Sequence, residues 1–274
     1  MKKHASTIIL ISVFLMGMSL LLYPSVSNYW NTRHATRIVR GYIEQSSEED
    51  SGKNLEYIEA AREYNSNILL RYNPFVLTEQ EQTQYSELLN VSGTGLMCVI
   101  EIPALDVTLP VYHGTDEGVL QVAIGHIDWT SLPVGGESTH CVFSGHRGLP
   151  SAELFTDLDK LAVGDDFIIT VLGEKLTYQV DQILIVEPHD SQPLKIEEGK
   201  DYCTLVTCTP YGVNSHRLLV RGHRVDNAVA EKIVHITADA VQIEPVAVAP
   251  IVAAPLLLIL LVIMLAPRRR KARK

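Results

Sequence analysis

The chain has 274 residues, of which 46% are hydrophobic, 7% aromatic and 20% charged. It is long enough for one sizeable domain and too rich in core-forming residues to be disordered. Eight of the 23 Lys and Arg residues lie at the two ends of the chain, so the middle carries 15 positive and 32 negative charges, a net charge of −17. Such a charge disfavours binding to nucleic acid.

Two uncharged stretches lie near the ends of the chain. One covers residues 5–32, and the other covers residues 246–266 and precedes the basic tail PRRRKARK at 267–274. About 20 helical residues span the ~30 Å core of a bilayer. Because Lys and Arg flank the outer ends of both stretches, the positive-inside rule places both termini in the cytoplasm and the acidic domain outside. We therefore expect a multi-pass protein of the cell membrane, with an N-terminal membrane helix within 1–32, a C-terminal transmembrane helix at 246–266 and a basic cytoplasmic tail at 267–274.

Each stretch also has a second interpretation. The first is compatible with a cleaved signal peptide, because Ser25-Val26-Ser27 offers a small-x-small cleavage site. The second resembles the end of surface proteins that are attached to the cell wall of Gram-positive bacteria. Those proteins carry an LPxTG-like pentapeptide before the apolar segment, whereas QIEP (242–245) stands there in this chain. We therefore interpret the second stretch as an anchor.

Residues 33–92 are predicted to be helical. Apolar and aromatic residues recur there at spacings of 4, 3 and 4, which predicts an amphipathic helix: Tyr57, Ala61, Tyr64 and Ile68. Tyr85, Leu88 and Leu89 indicate a second short helix, and Asn73-Pro74-Phe75 forms a loop between the two, since the residue before a proline leaves the helical region. We expect this part to lie as a helical cap on the main domain.

From about Gly95 the pattern changes to short strands of β-branched and aromatic residues that are separated by Gly, Pro and Asp. The predicted strands are 96–102, 107–112, 119–124, 139–144, 166–172, 175–187, 202–208 and 217–224. About eight short strands at this spacing predict a closed barrel or a sandwich, over 93–226. Two pieces are predicted to be helical, Ser151–Leu161 and Ala228–Val241, and the second lies in a linker at 227–245.

The chain contains four cysteines, Cys98, Cys141, Cys203 and Cys208. Cys203 and Cys208 fall in one predicted strand, where about 16 Å separates them, which is beyond disulfide reach. We expect the first three to be small buried residues of apolar strands. A Cys98–Cys141 bridge stays open as an alternative, because an exported protein permits disulfides. The spacings of cysteine and histidine do not suit zinc, and we predict no metal and no cofactor.

Cys208 stands at the end of the predicted strand TLVT (204–207), where a side chain lies at the rim of a sheet. The chain then turns and returns as RLLV (217–220), and a hairpin of this length sets Arg217 opposite Cys208. A guanidinium beside a thiol favours the thiolate, which is the nucleophile. Cys208 is therefore a candidate nucleophile; the alternative is a rim cysteine beside a structural arginine.

A thiolate nucleophile needs a proton donor for its leaving group. Among the ten histidines His146 is the best placed, because SGHRG (144–148) ends a strand and glycines flank the His146-Arg147 pair. His126 is the second candidate. His216 is the third and is more typical of a hairpin surface. From the residues alone, each of the three is also compatible with a structural role.

At this point the motifs resemble those of a known family. The segment TLVTCTPYG (204–212), with Arg217 nine residues after Cys208, resembles the TLxTC…R signature of sortases, and FSGHR (143–147) resembles the sortase histidine segment. With two anchors and an N-terminal helical region, the chain is similar to class C, the pilin-polymerising sortases of Gram-positive bacteria. The resemblance implies a mainly β fold: a sortase-type eight-stranded β-barrel with short helices, an N-terminal helical lid and two transmembrane helices.

The resemblance also implies roles for the candidate residues. Cys208 would attack the threonine carbonyl of an LPxTG-like sorting signal, His146 would act as general acid and base, and Arg217 would hold the oxyanion or the substrate backbone. The acceptor would be a lysine amine of a pilin. A lid motif, Asp-Pro-aromatic in class C, matches Asn73-Pro74-Phe75 here. Phe75 could still cover the sulfur, whereas Asn73 lacks the charge for an ion pair, so we expect a lid that opens readily.

Two other functions stay open at this stage. One is a housekeeping-type sortase that anchors surface proteins to a peptidoglycan-precursor amine. The other is a non-catalytic surface protein whose barrel binds peptides. Some sortases bind calcium through clustered carboxylates, but Asp165-Asp166 and Glu197-Glu198 are also typical of solvated turns.

Overall fold

The structure is a computed structural model that describes residues 2–48, 51–71, 75–227 and 255. Several predicted features therefore lie outside the described residues: the helix at 228–241, the C-terminal transmembrane helix apart from Pro255, the basic tail, and Asn73 and Pro74 of the predicted lid. Residues Asn31–His235 form one of the two compact units of the chain, and this unit contains all eight strands described below.

Helix α1, Lys2–Glu48, contains the first uncharged stretch. Among the described residues, one helix is long and apolar enough to cross a membrane, Ile9–Ser47 near the N-terminus, in which an 18-residue window has a mean hydropathy of 2.1. A signal sequence would meet the same criteria, so the sequence-based alternative stays open. The part of α1 within the compact unit packs on the barrel, where the Tyr42 hydroxyl donates to the carbonyl of Met97 (2.8 Å) and accepts from the amide of Leu172 (2.9 Å).

Helices α2, Ser51–Ile68, and α3, Glu79–Glu87, confirm the predicted helical region before the barrel. Of the four positions of the predicted amphipathic helix, Ala61, Tyr64 and Ile68 are buried in the core, whereas Tyr57 is partly buried and packs against it. Ile58, the neighbour of Tyr57, is buried in its place. Asn65 fastens α2 to the barrel, since its amide group exchanges hydrogen bonds of 3.0 and 2.7 Å with the backbone of Leu132. Thr78 and Glu81 form a capping box that starts α3.

Eight strands form a closed barrel in the order β1-β2-β3-β4-β7-β8-β6-β5, which confirms the predicted eight-stranded barrel. The strands are β1 Leu96–Ile102, β2 Val107–His113, β3 Ile124–His126, β4 Thr139–Ser144, β5 Asp166–Val171, β6 Glu174–Val186, β7 Asp201–Thr209 and β8 His216–Val225. The β2–β3 and β4–β7 pairs are parallel, and the other pairs are antiparallel.

Two predicted elements differ from the structure. Most of the predicted strand 119–124 is instead the short helix α4, Glu117–Leu120, and a turn, and the strand β3 begins only at Ile124. The piece Ser151–Leu161 is not an α-helix but a set of turns that ends in a 3₁₀ helix, Leu158–Lys160. Its apolar residues close one end of the barrel and are buried there: Ala152, Leu154, Phe155 and Leu158. The regular spacing of these residues follows from burial and not from a helix.

The barrel interior confirms the interpretation of the first three cysteines. Cys98, Cys141 and Cys203 are buried in the core, and all four cysteines are free thiols, so the alternative Cys98–Cys141 bridge is not formed. Cys141 and Cys203 are register partners on the parallel strands β4 and β7. Since side chains alternate along a strand, Val142 and Val206 point to the outer face, where they lie in a second apolar cluster.

Candidate active site

Cys208 lies next to the last residue of β7, at the rim of the barrel. The strand before it is buried from Tyr202 to Thr207, whereas Cys208 is partly exposed. The thiol is therefore accessible at the point where the strand leaves the core, as its place in the sequence predicted.

The hairpin between β7 and β8 places Arg217 opposite Cys208. The next pair, Thr209 and His216, ends the ladder. The Nη1 group of Arg217 donates to the carbonyls of Asn214 (3.4 Å) and His216 (3.2 Å) in the connecting turn. These bonds hold the guanidinium on the turn, next to the strand end that carries the thiol.

His146 follows β4, which runs parallel to β7 with Ser144 opposite Val206. His146 and Cys208 thus both stand two residues beyond this pair, at the same end of two adjacent strands. Two bonds continue the contact: the Gly145 amide donates to the Val206 carbonyl (3.0 Å), and the Thr207 hydroxyl donates to the Gly145 carbonyl (2.8 Å). The structure therefore brings His146 to the barrel end that carries Cys208.

Glycine at position 145 is required by space. A Cβ atom there would lie 2.6 Å from Cδ1 of Ile124 and 2.7 Å from Cδ2 of Phe155. Such distances exclude any side chain without movement of the barrel end. The glycine before His146 in the sequence motif therefore has a steric cause.

An apolar patch extends from the thiol over the outer face of the barrel. We call it the outer patch; its buried members are Val142, Leu194, Val206 and Leu219, with Ile127, Trp129, Leu184 and Val186 packed against them. Val206 and Leu219 are register partners and stand two residues from Cys208 and Arg217, so they share the face of these residues. A thiol and a guanidinium at the end of an apolar strip suit an extended peptide with apolar side chains.

Phe75 is the one member of the predicted lid that the structure describes. Its ring meets the ring of Trp129 edge to face, with 5.0 Å between centroids and an interplanar angle of 76°. Both rings line a cavity of about 300 Å³ together with His140 and Leu194. Phe75 therefore lies at the Trp129 side of the outer patch.

Arg71 fixes the chain just before the lid. Its side chain is 6% exposed, its Nε atom lies 2.9 Å from a carboxylate oxygen of Glu81, and its Nη2 group donates to the Tyr64 hydroxyl (2.7 Å). These contacts join the end of α2 to the start of α3. The segment that contains the predicted lid is thus held at both ends by one buried cation.

The second candidate histidine, His126, is buried in a structural network. The Tyr85 hydroxyl lies 3.0 Å from its Nδ1, and its Nε2 lies 2.9 Å from the Ser131 carbonyl oxygen. Burial lowers the pKa of His126 to about 3. The third candidate, His216, bonds to the hydroxyl of Ser215 (2.9 Å) on the turn. The structure therefore places His146 and His216, and not the buried His126, at the barrel end that carries Cys208.

In each of the two acidic pairs considered for calcium, one residue contacts another side chain of the protein. Glu197 lies 3.3 Å from Nη1 of Arg221, and Asp166 accepts from the Gln179 side chain (3.3 Å). Within the described ranges, no group of three or more His, Cys, Asp and Glu side chains is arranged to hold a metal ion.

Sequence reasoning missed the outer patch and the part played by Trp129. The alternation of side chains along β7 and β8 could have shown the outer patch. Val206 and Leu219 stand two residues from Cys208 and Arg217 and therefore lie on the same face. Trp129 lies in the connection between β3 and β4, and no local pattern indicates that it meets Phe75.

Comparison with known proteins gives a consistent result. A family model for the sortase domain matches residues 100–225. The structure of sortase C1 from Streptococcus agalactiae is similar, with a TM-score of 0.67 and 50% identity, and covers 70% of this chain and 99% of that chain. Sortase C from Streptococcus pneumoniae has a TM-score of 0.63 and 44% identity, over 69% of this chain and 97% of that chain. Sortase D of Bacillus subtilis is 28% identical over 130 residues, which are 46% of this chain and 63% of that protein.

Proposed function

Because the chain belongs to the sortase family of cysteine transpeptidases, we propose that it assembles pili by joining LPxTG-like sorting signals to a lysine amine of a pilin subunit. The arrangement at the barrel rim carries this proposal: Cys208 lies opposite Arg217, and the strand that leads into His146 lies parallel to the strand of Cys208. Support for a pilin substrate comes from the structure of the Streptococcus pneumoniae enzyme, which is described in terms of pilin substrate specificity.

In the first half of the reaction the Cys208 thiolate attacks the carbonyl carbon of the threonine. The threonine–glycine C–N bond breaks, and the glycine amine takes its proton from the His146 imidazolium. The acyl group stays on sulfur as a thioester. Arg217 donates hydrogen bonds to the oxyanion or to the substrate backbone, where a fixed positive charge stabilises the charge that develops.

In the second half the pilin lysine amine attacks the thioester. His146, now neutral, removes a proton from the amine, the new C–N bond forms an isopeptide, and the thiolate leaves. Water in place of the lysine gives hydrolysis. In this scheme the partly exposed members of the outer patch, Ile127, Trp129, Leu184 and Val186, offer apolar contacts to the residues that precede the threonine, and the buried members support them.

The proposal includes two membrane anchors around an extracellular catalytic domain. Helix α1 supplies the first by length and composition. The stretch 246–266 with its basic tail supplies the second, and the positive-inside rule leaves both termini in the cytoplasm. A fluorescent protein fused to Lys274 should fluoresce in cells, since it folds in the cytoplasm. Alkaline phosphatase, which is active only outside the cytoplasm, is fused to Lys274 in a second variant. No fluorescence in the first fusion together with phosphatase activity in the second would contradict this topology.

Peptide transfer tests the chemistry. The full-length chain in detergent is incubated with an LPxTG-type peptide, and intact mass spectrometry should find an acyl adduct on Cys208 that is absent from Cys208→Ala. Peptides with a pilin-type lysine, when added next, should release the adduct as an isopeptide product. Release only by a peptidoglycan-precursor amine would favour the housekeeping function. Binding of the peptide that persists in Cys208→Ala, without any adduct in the wild type, would identify a non-catalytic protein.

The lid proposal concerns Asn73, Pro74 and Phe75. We expect Phe75 to cover the site and to open readily, because Asn73 cannot form an ion pair. Phe75→Ala should raise the alkylation rate of Cys208, by about tenfold for a lid that is closed nine-tenths of the time. Val76→Ala is the matched control, since Val76 is the neighbouring residue and is 62% exposed. An equal rate in Phe75→Ala and Val76→Ala would show that the loop only packs on the barrel.

A further inference from the structure

The side chain of Arg147, next to His146, is buried although it is charged. It is 9% exposed, and its Nε atom is buried without a hydrogen-bond partner. Burial of a cation costs several kcal/mol unless its partners compensate. What Arg147 does therefore depends on the partners that its other donors have.

Arg147 belongs to the loop that carries His146 and contacts the segment that closes the barrel end. Its Nη2 group forms an ion pair with the Asp159 carboxylate. Asp159 lies on the 3₁₀ helix Leu158–Lys160, whose Leu158 is fully buried in the core. The same segment holds the loop backbone, since the Phe155 amide donates to the His146 carbonyl (3.2 Å). One side of the guanidinium is thus fixed to a rigid part of the barrel.

The other side of the same guanidinium reaches the strand end of Cys208. Its Nη1 group lies 3.5 Å from the hydroxyl of Thr209, the residue after Cys208, and its Cζ atom lies 5.8 Å from the centroid of the Tyr211 ring. The two chain segments are in close contact there. A Cβ atom on Gly148 would lie 2.8 Å from Cε2 of Tyr211, and Gly148 has a φ of +74°. Only glycine meets both conditions without strain.

The backbone pairing between the strand of Cys208 and the strand that leads into His146 ends at Ser144 and Val206, and the Thr207–Gly145 bond lies just beyond it. Past that point the Arg147 side chain joins the two segments, with Asp159 as its fixed point. We propose that Arg147 is a positioning residue for the proposed transfer reaction and sets the separation between the His146 imidazole and the Cys208 sulfur. The inference rests on the proposed function, and Arg147 acts through His146 and Cys208 without touching substrate.

The first test is the kinetics of full-length Arg147→Gln with a fluorogenic LPxTG-type peptide. Loss of the bridge should lower kcat by about 10²-fold, because small misplacements of catalytic groups have effects of that size. KM should stay within about threefold, since no substrate contact is removed. Arg147→Lys should be intermediate, because an ammonium keeps the charge but cannot span Asp159 and Thr209 at once.

Arg224→Gln is the matched control. Arg224 also donates to backbone carbonyls, those of Thr177 (3.0 Å) and Val225, but it lies near the end of β8 that is opposite Arg217. It should keep the wild-type kcat. A kcat for Arg147→Gln that falls only as far as the folded fraction falls, measured by circular dichroism, would overturn the inference.

A double-mutant cycle separates this inference from the proposed function. The alkylation rate of Cys208 by iodoacetamide is measured in wild type, Arg147→Gln, His146→Ala and the double variant. If Arg147 acts through His146, the alkylation rate of the double variant should equal that of His146→Ala. If the two substitutions act independently, their effects on the rate would multiply in the double variant, which would overturn the inference. A wild-type chain that forms no thioester would refute the proposed function, and the alkylation cycle would still decide the role of Arg147.

Discussion

The four thiols of this chain lie in different environments. Cys98, Cys141 and Cys203 are at most 3% exposed, inside the barrel, whereas Cys208 is partly exposed at the rim. Burial raises the pKa of the Cys98 and Cys141 thiols well above the usual range. Only the thiolate reacts readily with alkylating reagents, so the reactivity of the chain should be confined to one residue.

We predict that iodoacetamide modifies one thiol of the native protein. Peptide mapping should find the label on Cys208, and denaturation in urea should raise the count to the four cysteines of the chain. If Cys208 is labelled slowly because Phe75 covers it, the Phe75→Ala variant should be labelled faster at the same residue. Label on Cys98, Cys141 or Cys203 in the native protein would contradict the burial that the structure assigns to them.

The sequence separation of the partners decides how well the candidate site could be predicted. Cys208 and Arg217 lie nine residues apart, and a hairpin of that length determines their pairing locally. His146 and Cys208 lie 62 residues apart and meet through the parallel pairing of β4 and β7, which no local pattern specifies. The glycines on either side of His146 marked it as a candidate in the sequence. Nothing in the sequence shows that the Tyr85 hydroxyl, from α3, hydrogen-bonds to Nδ1 of the second candidate, His126.

At the scale of the elements, helix α2 is fixed to the barrel by Asn65, which is 3% exposed. Asn65→Ala would leave the buried N–H group of Leu132 without its partner, whereas the Leu132 carbonyl would keep its bond from the Val134 amide (2.8 Å). Since an unsatisfied buried polar group costs about 1–3 kcal/mol, we expect the free energy of unfolding to fall by about that amount. Urea denaturation followed by circular dichroism measures this change.

Asn67→Ala is the matched control for that prediction. Asn67 lies on the same helix and is exposed, so its replacement should change the free energy of unfolding by less than about 0.5 kcal/mol. Equal effects of the two substitutions would show that the bonds of Asn65 to Leu132 do not hold the helix on the barrel.

The elements that the sequence mispredicted have tertiary causes. Residues 119–124 contain β-branched residues and so resemble a strand, yet the strand is formed by Ile124–His126. Gly125 explains this register, because a Cβ atom there would lie 2.2 Å from the carbonyl oxygen of Gly114, and only glycine allows β3 to approach so closely. In 151–161 the apolar residues point into the barrel end from successive turns, so their spacing imitates a helix.

At the scale of the whole molecule, the fold takes three histidines out of water. Burial lowers the pKa values of His113, His126 and His140, in the case of His126 to about 3. A lowered pKa means that the folded state binds fewer protons than the unfolded state, whose histidines titrate near about 6.5. Stability is therefore complete above that pH and falls as the pH decreases towards the pKa values of the folded state.

We predict that the free energy of unfolding decreases between pH 7 and pH 5, with a slope of up to about 1.4 kcal/mol per pH unit for each proton that only the unfolded state binds. His126→Gln removes one such proton and should reduce the slope by about that amount at the acid end of the range. Urea titrations at each pH, followed by circular dichroism, measure the slope. His189→Gln is the control, because His189 is exposed and should leave the slope unchanged. Burial raises the pKa values of Asp128 and Asp201. These carboxyl groups bind protons in the folded state first, so they stabilise the fold as the pH decreases and oppose the histidines. A slope that is flat or reversed above pH 5 in the wild type would show that the carboxyl groups outweigh the histidines.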